Sequence, residues 1–395
     1  MSGRDGRYRS AARAPGLRVG ARLLALAALL ALCPTAGRAS SPSDACPSGQ
    51  NLGQCTLTGL GSLFGGDQCP AAPMQPAAKT AAARLEQLIE QVPCPSSGRV
   101  SFDTADDLGN PMGVLDPLAD PAGGYLGVYH TAVGPTDDAL AYRVLLGRST
   151  DLIHWHRLAV LDPDGASMPT LRAIPGEPGF LLAYEKAGSP QADHVIRLRY
   201  YATRDDLLLA RYRAQRDLPL RFSPFNNGTP SILSVRWGGT PGRSLIQLGF
   251  HYETSHRGAA GPDREAVGTL RGFRRWSARP DAGTDAALER LGLGGNHGDW
   301  RQFSFQSARW RLYEAQTSFN DFSSWHVLLT GSGSGSLYRL TLKSGSAVLA
   351  SSLGNPVAQQ LPGPAGQGQV LVVTMFVFAA SVPERAGELV YYQPI

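Results

Sequence analysis

One short sequence phrase occurs five times after residue 100. It consists of a turn, often built on Gly-Asn or Gly-Thr and usually closed by proline, followed by an apolar strand. The turns of the five copies begin at Gly109, Ser167, Gly228, Gly295 and Gly354, roughly 58 to 67 residues apart. A period of this length is typical of propellers, solenoids and other repeat arrays. The repeat therefore restricts the chain to a small set of architectures.

Each repeat unit contains about four short apolar strands, which is the composition of a propeller blade. Aromatic residues after the third strand, such as Trp155 and Trp325, are predicted to pack one blade against the next. The fifth unit lacks a fourth strand, and residues 99–102 are predicted to supply it and to close the ring. The predicted fold is all-β, a five-bladed β-propeller with a small disulfide-stapled N-terminal segment. A β-sandwich would not explain five similar units.

Several local elements follow from this plan. Residues 208–212 are the expected fourth strand of the second unit, and residues 267–276 are expected to continue as one strand in the third. Helices are expected only at residues 81–92 and 285–291. We therefore divide the chain into residues 1–39, 40–96 and 97–395, the last being the propeller.

Residues 1–39 have the pattern of a secretory signal peptide. An Arg-rich start precedes a leucine-rich apolar run and a small-residue region, with cleavage expected after Ala39. The apolar run is too short for a stable membrane span; an organelle transit peptide is the alternative. This segment holds seven Arg and one Asp, so a cleaved chain carries a net charge of about −1 and loses its support for nucleic-acid binding. The protein is predicted to be secreted, extracellular and monomeric.

The cysteines that remain after such cleavage all precede the propeller. In an exported chain an even, clustered set predicts two disulfides, with three possible connectivities. A zinc site is the alternative, but no Cys-x-x-Cys pair or neighbouring histidine is present, and we predict no metal and no cofactor. The candidates are Cys46, Cys55, Cys69 and Cys94.

Polar residues near the entrance of a propeller channel are the candidates for chemistry. One set lies just before the predicted first strands and includes Asp106, Asp107, Asn227, Asn296 and Asp299. A second set lies at the ends of the second strands: His130, Glu185, His251, Tyr252, Glu253, Glu314 and Gln316. Each has a structural alternative, such as a turn cap for Asp107, a solvated strand face for Glu314 and an ion pair for Arg264 with Asp263.

Three phrases carry a family resemblance. They are Gly-Tyr-Leu-Gly-Val-Tyr-His at 124–130, Ser-Thr-Asp-Leu-Ile-His-Trp at 149–155 and Gly-Phe-Leu-Leu-Ala-Tyr-Glu at 179–185. With these phrases, residues 97–395 resemble the five-bladed β-propeller glycoside hydrolase superfamily, which includes arabinanases, xylosidases, invertases and levansucrases. Through residues 295–299 and 314–316 the region also resembles a group of uncharacterised secreted propeller proteins.

The resemblance implies a pair of carboxyl groups at the channel mouth. In the superfamily, an Asp before the first inner strand is the base or nucleophile, and a Glu before the third is the general acid. Asp107 matches the first position. The third carries Asn226 and Asn227 ahead of Gly228, and an amide cannot donate a proton to a leaving group, so Glu314 or Glu253 is the expected acid.

The sequence thus predicts a secreted carbohydrate-active propeller that hydrolyses or transfers glycosides. The alternative, favoured by Asn227, is a non-catalytic module that binds carbohydrate or a surface; whether the chain is an enzyme stays open. The expected carbohydrate-binding residues are Asn227, His251, Tyr252, Arg264, Asn296, Asp299, Trp300 and Gln316.

Overall fold

The computed structural model describes residues 80–135, 138–188, 194–219, 227–256, 259–319, 321–331, 336–378 and 385–395, without the side chains of residues 96, 255, 256, 259 and 260. The predicted signal peptide and Cys46, Cys55 and Cys69 lie outside these ranges, so the signal and the cysteine pairing stay predictions. Among the described residues, no helix has the length and apolar character needed to cross a bilayer.

Five four-stranded antiparallel sheets follow one another along the chain and form the blades. Blade 1 contains β2 (Gly113–Ala119), β3 (Tyr125–Ala132), β4 (Tyr142–Ser149) and β5 (His156–Asp162). Blade 2 contains β6 (Ala166–Ala173), β7 (Phe180–Ala187), β8 (His194–Tyr201) and β9 (Ala214–Leu218). Blade 3 contains β10 (Asn227–Arg236), β11 (Leu245–His256), β12 (Ala259–Arg271) and β13 (Arg275–Pro280). Blade 4 contains β14 (His297–Phe305), β15 (Ala308–Gln316), β16 (Trp325–Gly331) and β17 (Tyr338–Arg339).

Blade 5 combines the two ends of the propeller region. Its inner three strands are β20 (Leu353–Pro362), β21 (Gln369–Val377) and β22 (Gly387–Pro394), and the fourth is β1 (Val100–Ser101). Val100 pairs with Tyr391 and Ser101 with Val390. This is the predicted closure, and the prediction of a mostly β, five-bladed propeller is confirmed. Between blades 4 and 5 lies an unpredicted hairpin of β18 (Leu342–Ser344) and β19 (Ala347–Ala350).

In the part of the chain that the structure describes, three α-helices accompany the blades: α1 (Ala81–Glu90), α2 (Arg204–Leu208) and α3 (Ala282–Glu289). α1 buries Leu85, Leu88 and Ile89 in a cluster with blades 4 and 5. Its Glu90 accepts hydrogen bonds from the Thr341 amide at 2.8 Å and from Lys343 Nζ at 2.7 Å. α1 is thereby fixed to the β18–β19 hairpin.

Two expected strands differ in the structure. No strand is found at residues 208–212, and residue 208 is instead the last residue of α2. Thr203 caps this helix by accepting a hydrogen bond from the Asp206 amide at 3.0 Å. The fourth strand of blade 2 is consequently β9. In blade 3, residues 267–276 were expected to form one strand. A turn with positive φ at Gly272 and Phe273 instead divides them between β12 and β13.

Every innermost strand contains a bulge near its start. The positions of these bulges show which residues of the five repeats are structurally equivalent. The interruptions fall between Gly113 and Asp116, Ser167 and Thr170, Gly228 and Ser231, His297 and Trp300, and Gly354 and Val357. The first repeat thus aligns through Gly113 rather than Gly109, and the fourth through Gly298 rather than Gly295. Val114, Met168, Thr229 and Asn355 occupy the bulges with positive φ, which is unusual for residues with a side chain.

Tryptophan rings pack against glycines, between blades 3 and 4 at Trp300 and within blade 3 at Trp276. A Cβ atom added to Gly249 would lie 1.9 Å from the Trp300 ring, and one added to Gly268 would lie 1.9 Å from the Trp276 ring. Trp155 is buried and donates from Nε1 to the Leu152 carbonyl at 3.2 Å. Trp155 belongs to a buried cluster that contains residues of blades 1 and 5, as predicted for its packing role.

Candidate active site

Two concentric rings of residues surround the channel at the end where the inner strands begin, which we call the mouth. The bulge ring consists of one bulge residue from each inner strand: Val114, Met168, Thr229, Asp299 and Asn355. The second-strand ring consists of the residues opposite these bulges on the neighbouring strands: His130, Glu185, His251, Glu314 and Phe376. The bulges therefore bring polar side chains from separate blades to one end of the channel.

Glycine at the bulge lets the second-strand side chains reach inward. A Cβ atom on Gly113 would lie 2.5 Å from Nε2 of His130, and one on Gly298 would lie 2.2 Å from Oε1 of Glu314. At Gly228 the same atom would lie 2.4 Å from Nε2 of His251. A larger residue would push these side chains out of position, so three blades depend on glycine here.

Bulges leave backbone N–H groups without a partner in the sheet, and in blades 2, 3 and 5 a side chain of the preceding blade accepts from such a group. Met168 donates to Nδ1 of His130 at 3.1 Å, and Thr229 donates to Oε1 of Glu185 at 2.6 Å. Asn355 donates its backbone N–H to Oε2 of Glu314. In this way the second-strand ring joins successive blades.

Glu388 on β22 performs the same task at the closure of the ring. It accepts from the backbone amides of Val114 at 3.2 Å and Leu115 at 3.0 Å. Burial raises the pKa of Glu388 to about 8, although these hydrogen bonds oppose the shift.

Glu314, Asp299 and Asn355 form one buried constellation. Asn355 donates its side-chain amide to Oδ2 of Asp299 at 2.9 Å while its backbone amide serves Glu314. Burial raises the pKa of Glu314 well above its ordinary value, and the nearby negative charge of Asp299 raises it further. The arrangement therefore favours the protonated form of Glu314.

Glu185 lies two blades away from Glu314 around the ring. Hydrogen-bond donors surround it. Besides the Thr229 amide, it accepts from the hydroxyls of Thr229 at 3.1 Å and Ser167 at 3.1 Å. Nδ1 of His194 lies 3.5 Å from its Oε2. These partners suit a carboxylate acceptor, in contrast to the charge-burying surroundings of Glu314.

Histidine and aspartate side chains complete this end of the channel. Burial lowers the pKa of His130 to about 4, in spite of the opposing charge of Glu185. Burial raises the pKa of Asp263 despite the opposing effect of His251. The site thus offers neutral and charged hydrogen-bonding groups within a small region.

The channel narrows just inside the mouth. Nδ2 of Asn355 in blade 5 lies 3.5 Å from Sδ of Met168 in blade 2, so two blades that are not neighbours meet near the axis. Further along, Asp116 accepts from the Thr170 hydroxyl at 2.7 Å and from Nη1 of Arg172 at 3.2 Å. The side chains around Met168 and Asn355 separate the two ends of the channel.

The structure places Asp107 apart from both rings. Its Oδ1 accepts from the Arg157 amide at 2.9 Å, and Oδ2 lies 3.2 Å from Nδ1 of His156, at the start of the outermost strand of blade 1. Hydrogen bonds from this strand lower the pKa of Asp107. The expected pairing of Asp107 with an acid at the mouth is therefore not found. The first inner strand begins at Gly113, six residues after Asp107, so Asp107 does not directly precede this strand.

Trp300 and three other expected sugar contacts have structural partners. The Trp300 ring is buried and stacks on Tyr313 with a centroid separation of 5.6 Å, which leaves no face for a sugar. Arg264 donates from Nη1 to the Gly295 carbonyl at 2.8 Å and from Nη2 to Glu289 at 3.1 Å. Asn296 accepts from the Asp263 amide at 3.0 Å, and Gln316 donates to the Asp321 carbonyl at 3.1 Å.

The remaining expected residues lie on the blade 3 side of the mouth. His251 belongs to the second-strand ring, Tyr252 is half-buried next to it, and Glu253 is buried. Asn227 is buried at the start of β10, with its amide nitrogen 3.5 Å from the Leu218 carbonyl of blade 2. The structure therefore brings Asp299 and Glu314 together, with His251 on the adjoining blade.

Among the described residues, no cluster of three or more His, Cys, Asp or Glu side chains has the arrangement of a metal site. His297, which has metal-binding chemistry, is buried with Nδ1 2.7 Å from Asp285 and Nε2 2.9 Å from the Leu293 carbonyl. Both of its nitrogens are thus used to hold α3 and the loop after it.

The sequence placed Glu185, His130 and Asn355 near the mouth; of these, only Glu185 was considered for a role, as a substitute for the missing acid. A repeated dipeptide carried the signal: Tyr129-His130, Tyr184-Glu185, Phe250-His251 and Tyr313-Glu314 each place an aromatic residue before an acid or histidine. The aromatic residue packs between blades, and the next residue faces the opposite side of the sheet.

Comparison with known proteins gives a likeness of fold. No model of a known family and no curated protein matches the sequence. A thermostable family-43 glycoside hydrolase is 12% identical, with 74% of this chain and 92% of that chain covered and a TM-score of 0.44. Zg3597, a family 117 glycoside hydrolase of Zobellia galactanivorans, is 10% identical, with 75% and 90% covered and a TM-score of 0.45.

A third structure of the same architecture is the α-L-arabinanase of Penicillium chrysogenum in complex with arabinobiose. It is 12% identical, with 75% of this chain and 98% of that chain covered and a TM-score of 0.41. The chain matches these glycoside hydrolase structures at low sequence identity, and its five-bladed propeller is shown by its own sheet topology.

Proposed function

We propose that the protein binds carbohydrate at the mouth and hydrolyses or transfers glycosides there. The observation that carries the proposal is the pair of glutamates at equivalent positions of blades 2 and 4. Glu314 is buried next to Asp299, which favours its protonated form, whereas Glu185 is surrounded by donors. Glycoside cleavage requires these two states on two sides of the scissile bond.

In this proposal Glu314 is the general acid that protonates the leaving oxygen. Glu185 is the carboxylate that attacks the anomeric carbon or activates water. Asp299 and Asn355 are positioning residues, since Asp299 raises the pKa of Glu314 and Asn355 fixes both carboxyl groups. No role remains for Asp107, Trp300, Arg264, Asn296 or Gln316 in contact with the sugar, and secretion stays a part of the proposal.

One observation favours the alternative of a non-catalytic binding module. Glu185 and Glu314 both accept hydrogen bonds from bulge amides of the next blade, which is a structural task in its own right. Carbohydrate that binds at the mouth without being cleaved would establish this alternative.

The test is turnover of a panel of neutral oligosaccharides, including arabinan, xylan and fructan fragments, by the wild type and by Glu314→Gln and Glu185→Gln. We expect each variant to lose at least about 100-fold in turnover, because proton transfer and covalent or base catalysis each contribute factors of that size. Glu177→Gln, an exposed residue in the turn after β6, is the matched control and should keep full activity. Turnover unaffected by either mouth variant would rule out the proposed pair.

A further inference from the structure

A cavity occupies the end of the channel opposite the mouth. It has a volume of about 650 Å³ and is bounded by the ends of the inner strands of blades 2 to 5. This volume is in the usual range of small-molecule sites. Amide and guanidinium side chains provide most of its hydrogen-bonding groups: Arg172, Gln302, Arg309, Gln359, Gln360 and Gln369.

The cavity carries positive charge. No aspartate or glutamate is among the described residues that line it. Arg309, the second residue of β15, is exposed and makes no hydrogen bond or ion pair with any described residue. Arg172 uses only Nη1, which is bonded to Asp116 and the Leu171 carbonyl, and its other nitrogens have no partner in the described part of the chain.

Besides Arg309 and Arg172, the buried guanidinium of Arg301 lies in the channel beside Arg172. Arg301 donates from Nη1 to the Pro230 carbonyl at 2.8 Å, while its Nε and Nη2 have no partner among the described residues. Burial lowers the pKa of Arg301, and the charge of Arg172 lowers it further against the effects of Asp299 and Asp116. Nε and Nη2 form the edge of a guanidinium that binds a carboxylate with two parallel hydrogen bonds.

We propose that this cavity binds a hexuronic acid, either free or at the end of an acidic oligosaccharide. The guanidinium groups of Arg309 and Arg172 would take the carboxylate, because each offers donors that no protein acceptor occupies. The side-chain amides of Gln360 and Gln369 would take hydroxyl groups, since an amide both donates and accepts. A neutral hexose would lack the group that these arginines recognise.

This site is independent of the proposed chemistry at the mouth. No residue of either mouth ring is among the described residues that line the cavity. Binding at the cavity is therefore expected to persist when the mouth is inactivated.

The test is calorimetric titration of the full chain with D-galacturonate and D-galactose. We expect galacturonate to bind and galactose to bind at least about tenfold more weakly, which corresponds to the loss of one charge-assisted interaction. Arg309→Gln should weaken galacturonate binding by about tenfold. Arg275→Gln, an equally exposed arginine at the start of β13, and Glu314→Gln at the mouth should leave it unchanged.

Any of these results would overturn the proposal: no binding of galacturonate by the wild type, equal binding of galactose, unaltered binding by Arg309→Gln, or loss of binding in Glu314→Gln. The last would place the ligand at the mouth. Inorganic sulfate that competes as strongly as galacturonate would show a general anion site and would likewise contradict the assignment to a uronic acid.

Discussion

At the scale of single residues, the mouth depends on the contrast between Glu314 and Glu185. Both occupy the same place in their blades, but the charge of Asp299 raises the pKa of Glu314, whereas Glu185 is held by hydrogen-bond donors from Thr229 and Ser167. Low solvation and a like charge stabilise the neutral form of Glu314. Equivalent residues can therefore take up opposite roles as proton donor and carboxylate.

Asp299→Asn tests this contrast. Removing the charge of Asp299 should lower the pKa of Glu314, so the acid loses its proton at lower pH. We expect the alkaline limb of the kcat/KM profile to move down by about one pH unit, the usual size of such an effect. An alkaline limb that stays in place would show that Asp299 does not set the protonation of Glu314.

At the scale of elements, the blades are joined by pairs of a large ring and a glycine. Trp300 of blade 4 lies against Gly249 on β11 of blade 3, where the backbone has no room for a side chain. Such packing explains why Trp300 is unavailable as a sugar platform.

Gly249→Ala should therefore destabilise the protein by about 1–3 kcal/mol, since the added methyl group overlaps the Trp300 ring. Gly283→Ala is the matched control: it is an exposed glycine in α3, where alanine raises the helix propensity. Urea unfolding followed by tryptophan fluorescence measures both. Equal midpoints for Gly249→Ala and the wild type would mean that the two blades do not pack as described.

The sequence predicted the number of blades and the closing strand because the repeat period and the missing fourth strand are visible in the order of apolar segments. It did not predict the register of the first and fourth units. Val114 at a bulge with positive φ violates local preference and is held by Glu388, which is remote in sequence. For this reason the sequence pointed to Asp107 as the base or nucleophile, and not to a residue at the bulges.

Side-chain partners were equally hidden from the sequence. Arg264, Asn296 and Gln316 have the residue types of a sugar site, yet each is bonded to a backbone group, and Arg264 also to the side chain of Glu289. Only the folded arrangement of the loop between α3 and β14 brings these groups together. The equivalence of Glu185 and Glu314 was visible as a repeated dipeptide.

At the scale of the whole molecule, closure of the ring relies on Glu388 as well as on β1. Its raised pKa of about 8, against an ordinary value of 4.5, means that the folded protein retains a proton that the unfolded chain releases. Stability from this group is greatest below about pH 4.5 and is lost as the pH rises through 8.

The free energy of unfolding should hence fall between pH 5 and pH 8, by up to about 1.4 kcal/mol per pH unit from this group. Glu388→Gln, which cannot titrate, should show a smaller fall over the same interval. Urea unfolding at a series of pH values measures both proteins. Parallel stability curves for the two would show that Glu388 does not retain its proton in the folded state.

The two ends of the channel differ in charge, with carboxyl groups at the mouth and arginines at the opposite end.

The central claim is that the glutamates of blades 2 and 4 act on a glycosidic bond between them. The most direct measurement is a crystal structure of Glu314→Gln soaked with the oligosaccharide that the wild type cleaves fastest. We predict an intact glycosidic oxygen within hydrogen-bond distance of residue 314, with Glu185 facing the anomeric carbon or a water beside it. An oligosaccharide bound away from both residues would contradict the account.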